Sequence, residues 1–255
     1  MKNNFQQFEI KSTFKKLPIR VYVKKADLKS KTALILNPGA FETAWGDNNR
    51  YKKILLWLQE NLSVRPTVIA YQTSRISQDP PSNEESKEEY WRRIFKGKIF
   101  DDELEDVNRV YKYILNNNLN ISNIYILGFS LGGTLGIILS SKFRQIKKIC
   151  IVGSGISTKR SYLPVLRGYM KKRVIIEKIN KFKNYLKIYQ GSDERIVPVN
   201  DAVEIFEQAK NCSFVSFTRL KKADHMFYGN NFFGLIYHKN LLKNIKHFFD
   251  NNYEL

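Results

Sequence analysis

The sequence predicts an α/β protein with a mostly parallel, eight-stranded sheet and helices on both faces. Three observations carry that reading. After Thr32, short apolar runs alternate with segments of helical period, the pattern of repeated strand-helix-strand units. One such run, Ile121 to Leu127, passes through Gly128-Phe129-Ser130-Leu131-Gly132 straight into a helical run, Leu131 to Ser140. The chain has 255 residues, 43% of them hydrophobic, which suits one large domain with a sizeable core.

The elements follow in order. Phe8 to Phe14 and Ile19 to Lys24 read as an antiparallel hairpin at the sheet edge, with Pro18 at its turn end. Thr32 to Leu36 is the next strand. Tyr51, Ile54, Leu55, Leu58 and Leu62 mark one helix face, which Asp47 or Asn48 would cap. Pro66 to Tyr71 is a strand. Gln72 to Phe100 opens as a polar loop with Pro80-Pro81 and continues into an acidic, aromatic helical piece around Glu88, Glu89, Tyr90 and Trp91. Leu104, Val107, Val110, Tyr111 and Ile114 mark the helix before the Ile121 strand. Ile146 to Val152, Tyr185 to Gln190 and Phe214 to Leu220 complete the eight strands, and a helix closes the chain.

The pentapeptide at 128–132 is a G-x-S-x-G turn between strand and helix. Such a turn holds its serine exposed in a strained conformation, and its glycines avoid collisions of side chain with backbone. A serine hydroxyl needs an adjacent base to act as a nucleophile. Of three histidines, His238 and His247 fall in the C-terminal helical stretch. His225 falls in a loop after a strand, where catalytic residues of parallel-sheet proteins gather. An acid should orient its imidazole. Asp193 fits that role, after the Tyr185 strand in Gly191-Ser192-Asp193-Glu194-Arg195-Ile196-Val197-Pro198. Glu194 and Asp224 stand beside Asp193 and His225 as rival acids. The catalytic set read from sequence is Ser130, Asp193 and His225.

With GFSLGG at 128–133, GSDERIVP at 191–198 and ADHMF at 223–227, the chain resembles the alpha/beta-hydrolase superfamily, in its serine aminopeptidase-like and monoacylglycerol-lipase-like branch. The order Ser, Asp, His is that of the superfamily. The resemblance runs from about Ile19 to the C-terminus. It implies an alpha/beta-hydrolase fold and a serine hydrolase acting on a carboxylic ester through an acyl-enzyme, with no cofactor. It also implies an oxyanion hole in the loop after the Thr32 strand, Asn37-Pro38-Gly39-Ala40-Phe41, where many relatives carry His-Gly in place of Pro38-Gly39. Matching the glycines assigns the donor amides to Ala40 and Leu131, with Phe41 as the alternative. Acyl thioesters on coenzyme A or acyl carrier protein are the second substrate class. A peptidase, and a ligand-binding or receptor member of the fold, complete the alternatives.

The interval Ser157 to Lys183 lies where cap insertions occur in that superfamily. It reads as a small cap, helical on either side of Gly168, with a basic face and with Tyr169, Met170 and Ile175 as pocket residues beside Phe41 and Met226. Its Lys171, Lys172 and Arg173 suit a weak contact with an anionic membrane surface. The formal net charge of +19 is spread along the chain in a Lys-, Asn- and Ile-rich composition. No nucleic-acid motif accompanies it, so specific nucleic-acid binding is not expected. Cys150 and Cys212 imply neither a disulfide framework nor a metal site. Met1 to Lys16 lacks a signal-peptide core. These features together predict a cytoplasmic protein.

Overall fold

The computed structural model describes residues 5–26, 30–44, 46, 49–77, 79–117, 119–225, 227 and 241–251. Eight strands form one sheet: β1 (Gln6–Lys11), β2 (Pro18–Lys24), β3 (Thr32–Asn37), β4 (Thr67–Gln72), β5 (Asn123–Phe129), β6 (Ile146–Val152), β7 (Tyr185–Gly191) and β8 (Phe214–Leu220). Their spatial order is β1-β2-β4-β3-β5-β6-β7-β8. β1 and β2 form the expected edge hairpin, and β2 joins β4 antiparallel. All pairings from β4 to β8 are parallel.

Buried strands show why the sheet is covered twice. In β3, Ala33 and Ile35 face one core while Leu34 and Leu36 face another, and in β5 Ile126 and Leu127 divide likewise. The first core is closed by α3 (Phe100–Asn116), α4 (Leu131–Ser140), α5 (Lys172–Ile179) and α6 (Val199–Gln208). The second is closed by α1 (Arg50–Asn61) and α7 (Leu241–Asp250), through Ile54, Leu58, Ile245 and Phe248. Each such aliphatic or aromatic side chain contributes about 1.5–3 kcal/mol by leaving water.

Three boundaries differ from expectation. β1 ends at Lys11 because the chain turns at Ser12, whose hydroxyl donates to Phe14 O at 2.8 Å; Lys15 and Lys16 then take φ of 52° and 55°. The cap of α1 is Asn49, whose side-chain oxygen accepts from the Tyr51 and Lys52 amides. The predicted caps Asp47 and Asn48 lie outside the described residues, as does His238. Between Ser157 and Lys183 only the part after Gly168 is helical. Val165 at φ 56° and its amide bond to Lys98 O hold the earlier part in turns. The acidic aromatic piece forms α2 (Lys87–Ile94), opened by a capping box between Ser86 and Glu89.

Candidate active site

The serine turn is built by backbone packing on backbone. β5 ends at Phe129 and α4 begins at Leu131, so Ser130 alone reverses the chain, at φ 48° and ψ −123°. A non-glycine residue held there stores on the order of 1–3 kcal/mol of strain. Its amide is tied to Val152 O of β6 at 2.9 Å. A Cβ on Gly128 would stand 2.5 Å from Gly133 Cα, and one on Gly132 would stand 2.3 Å from both Asn37 O and Pro38 O. The second approach presses the first turn of α4 onto the end of β3. Buried Asn37 locks that contact by donating to Gly132 O at 3.0 Å and accepting from Tyr71 Oη at 2.9 Å. The loop after β3 is thereby seated beside the serine: a Cβ on Gly39 would lie 3.4 Å from Ser130 Cβ.

His225 follows β8, and its Nε2 lies 3.1 Å from Ser130 Oγ. Its loop is stitched to the loop after β7. The Ser192 amide donates to Leu220 O, the Asp193 amide to Ala223 O, and the Lys222 amide to Ser192 Oγ. His247, by contrast, is exposed on α7.

The carboxylate that meets His225 is not the one chosen from sequence. His225 Nδ1 meets Glu194 Oε2 at 2.7 Å, while Asp193 points to solvent and accepts from the Ser192 hydroxyl. Backbone direction makes the choice. The Asp193 amide turns inward to Ala223 O, which leaves its side chain outside, and the next residue enters the site. The Glu194 side chain is fully buried, and its other oxygen accepts from the Ile196 and Val197 amides at 2.7 and 3.1 Å. Burial pushes this carboxyl up, but the hydrogen bond and charge of His225 and the two amides outweigh it, so its pKa falls below the ordinary value. Asp224 is occupied by the Phe227 amide at 3.1 Å.

A cavity of about 120 Å³ opens over Ser130 and His225. Ala40, Phe41 and Leu131 all border it, and Phe41 takes φ 67°. The Leu131 amide sits in the first turn of α4, where it has no intrahelical acceptor. Tyr169 lines the cavity. Met170 and Ile175 do not: Ile175 is wholly buried in the first core, where α5 packs on α4 and α6, and Met170 packs on the same core. Met226 lies outside the described residues. The interval from Ser157 contributes Ser157, Thr158, Arg160 and Leu166 to the wall instead. Its base is pinned where Asp201 accepts from the Ile156 and Ser157 amides and the Ser157 hydroxyl, and where Thr134 and Tyr169 both donate to Gly155 O. Of its three consecutive cations, Lys172 pairs with Glu204 and Arg173 approaches Glu177 at 3.7 Å.

Sequence reasoning gave α2 no part in the site, yet Lys87 and Trp91 border the cavity. Trp91 stacks on Phe41 with centroids 4.2 Å apart, which braces the strained residue beside the serine. The signal was an aromatic pair behind a capping box, but nothing local said which face it would meet. Glu42, also in the wall, accepts from the Tyr51 hydroxyl and from Arg50 at 3.1 Å. Burial and the neighbouring Glu42 carboxylate raise the Tyr51 hydroxyl well above its ordinary pKa, so it stays a donor.

The sheet order, the strand-turn-helix serine and the loops after β7 and β8 define the alpha/beta-hydrolase fold. The chain is similar over nearly its whole length to solved structures of that fold. The esterase Pf2001 of Pyrococcus furiosus shares 16% identity at a TM-score of 0.66, covering 96% of this chain and 89% of that one. Est1E of Butyrivibrio proteoclasticus, solved with ferulic acid bound, shares 13% at 0.67, covering 94% and 97%. An alpha-beta serine hydrolase homologue from Coxiella burnetii shares 14% at 0.59, covering 100% and 99%. No protein-family model and no curated protein matches the sequence.

Proposed function

We propose that this protein is a serine hydrolase that cleaves a carboxylic ester through an acyl-enzyme on Ser130. The observation that carries the reading is the continuous relay from Ser130 Oγ to His225 Nε2 and from His225 Nδ1 to Glu194. His225 removes the Ser130 proton as Oγ bonds to the ester carbonyl carbon. Glu194 fixes the Nδ1–H tautomer and stabilises the imidazolium that forms. The Leu131 amide and that of Ala40, with Phe41 as the alternative to Ala40, hold the developing oxyanion, each donor contributing about a hundredfold or more in rate. His225 passes its proton to the leaving alcohol as the carbon–oxygen bond breaks. Water, deprotonated by the same imidazole, then attacks the acyl-enzyme and releases the carboxylic acid and free Ser130.

In this reading residues 157–183 form a small cap whose first half walls the acyl pocket. No cofactor enters the chemistry. The similarity to the structures of two esterases and a serine hydrolase homologue supports the class. The deciding experiment is intact-mass analysis after exposure to a fluorophosphonate. Stoichiometric labelling of the wild type, absent in Ser130→Ala, is expected. A folded wild type that takes no label and hydrolyses no ester would make the protein a binding member of the fold.

A further inference from the structure

A second depression, of about 500 Å³, shares both walls of the catalytic cavity. On one side α2 gives Lys87 and Trp91 to the cavity and Arg92 and Arg93 to the depression. On the other, the segment after Ser157 gives Arg160 to the cavity and Tyr162 and Arg167 to the depression. Its lining contains no carboxylate. Three of its cations are matched from outside: Arg92 by Glu88, Arg93 by Glu85, and buried Lys98 by Glu103 and Asp106. Lys96 and Arg167 are exposed and make no ion pair among the described residues; at the catalytic end exposed Lys87 and half-buried Arg160 likewise make none. Four unmatched cations therefore follow one path from the serine outward. Tyr162 lies on it, 57% exposed, beneath the Arg92 guanidinium at 5.6 Å. Like charges along a concave wall concentrate field and select an anion, and an exposed ring beside a guanidinium offers a face for a planar group.

We propose that this cleft is an anion subsite that receives a phosphate-bearing leaving group of the substrate. The inference rests on the hydrolase reading above and adds the chemical class of what is released. Lys87 and Arg160 meet the near end of that group, and Lys96 and Arg167 its far phosphates. Tyr162 favours a nucleotide-linked thiol over a phosphorylated glycerol as the source, because only the first carries a planar base.

Two matched pairs test it. Butyryl-coenzyme A is compared with S-butyryl-N-acetylcysteamine, and butyryl-glycerol 3-phosphate with monobutyryl-glycerol, at low and high salt. The phosphorylated member of at least one pair should be favoured about tenfold or more in kcat/KM, mainly through KM, and salt should erase the preference. Lys96→Gln/Arg167→Gln should lower only the phosphorylated rates, by about tenfold, with the neutral rates within about twofold. Tyr162→Ala should slow butyryl-coenzyme A alone. Equal rates within both pairs, or a double variant that slows neutral and phosphorylated members alike, would overturn the subsite while leaving the hydrolase reading in place. If no member of either pair is hydrolysed, fluorophosphonate labelling decides the hydrolase reading separately. Calorimetry of Ser130→Ala with adenosine 3′,5′-bisphosphate then decides the subsite: binding weakened by Lys96→Gln/Arg167→Gln supports it, and no binding at low salt rejects it.

Discussion

The turn that carries Ser130 and the loop that carries Glu194 reach the same histidine by different physics. At the turn the chain is constrained by backbone contact: Gly128 against α4, Gly132 against the end of β3, and the Ser130 amide on β6. No other residue could take the place of Ser130, because the strand ends one residue before it and the helix begins one residue after. The loop after β7 offers two adjacent carboxylates, and hydrogen bonds choose between them. The Asp193 amide goes to Ala223 O, and the Glu194 carboxylate takes two amides and an imidazole. A site fixed by steric exclusion is specified by its motif. One fixed by hydrogen-bond direction is specified only once the neighbouring loop is in place.

The comparison can be broken first at the serine. Ser130→Ala should lower kcat/KM on a 4-nitrophenyl ester by on the order of 10⁴-fold or more and leave the circular dichroism spectrum unchanged. Retained activity in a pure sample would remove the nucleophile. Gly132→Ala comes next. Its methyl would have to displace the Asn37 and Pro38 carbonyls, so activity should fall by about a hundredfold as the loop proposed to hold the oxyanion shifts. Stability should fall by about 1–3 kcal/mol, read from urea unfolding. Asn37→Leu removes the polar lock but no oxyanion donor. It takes the Asn37 partner from the buried Tyr71 and Tyr111 hydroxyls, at a cost of about 1–3 kcal/mol, and should cut activity less than Gly132→Ala.

The smallest effect concerns acid. Glu194 has its folded pKa below the ordinary 4.5, so its stabilisation is complete above that value and is lost as pH falls through the folded pKa. Between pH 5 and lower values the wild type should therefore lose stability more steeply than Glu194→Gln, whose side chain does not titrate. Parallel urea midpoints for the two proteins across that range would show that the Glu194 contacts add nothing to the folded state.

The same contrast explains what could be read from the chain. The central strands β5 and β6 and the helix α4 were legible because long apolar runs met glycines at a sharp junction. His225 was legible because the sequence has three histidines and one of them follows a strand. The carboxylate that meets His225 lies one residue beyond the one chosen from sequence, since periodicity says nothing about which of two neighbouring loop carboxylates turns inward. Met170 and Ile175 were misplaced for a related reason. Their apolar character was right, but both pack into the first core, and the cavity is walled by the irregular segment before Gly168, by Tyr169 and by Trp91 of α2. Contacts between elements distant in sequence, such as the Phe41–Trp91 stack, have no local signature.

The central claim is that the relay runs through Glu194, and the direct test is kcat/KM of Glu194→Gln beside Asp193→Asn on one ester at a pH above neutrality. Glutamine at 194 would present its amide to Nδ1 and favour the wrong imidazole tautomer, so a loss on the order of 10²–10⁴-fold is expected. Asparagine at 193 keeps the amide bond to Ala223 O and touches no imidazole, so its rate should stay within about threefold of wild type. The opposite ranking, with Asp193→Asn crippled and Glu194→Gln active, would contradict the account.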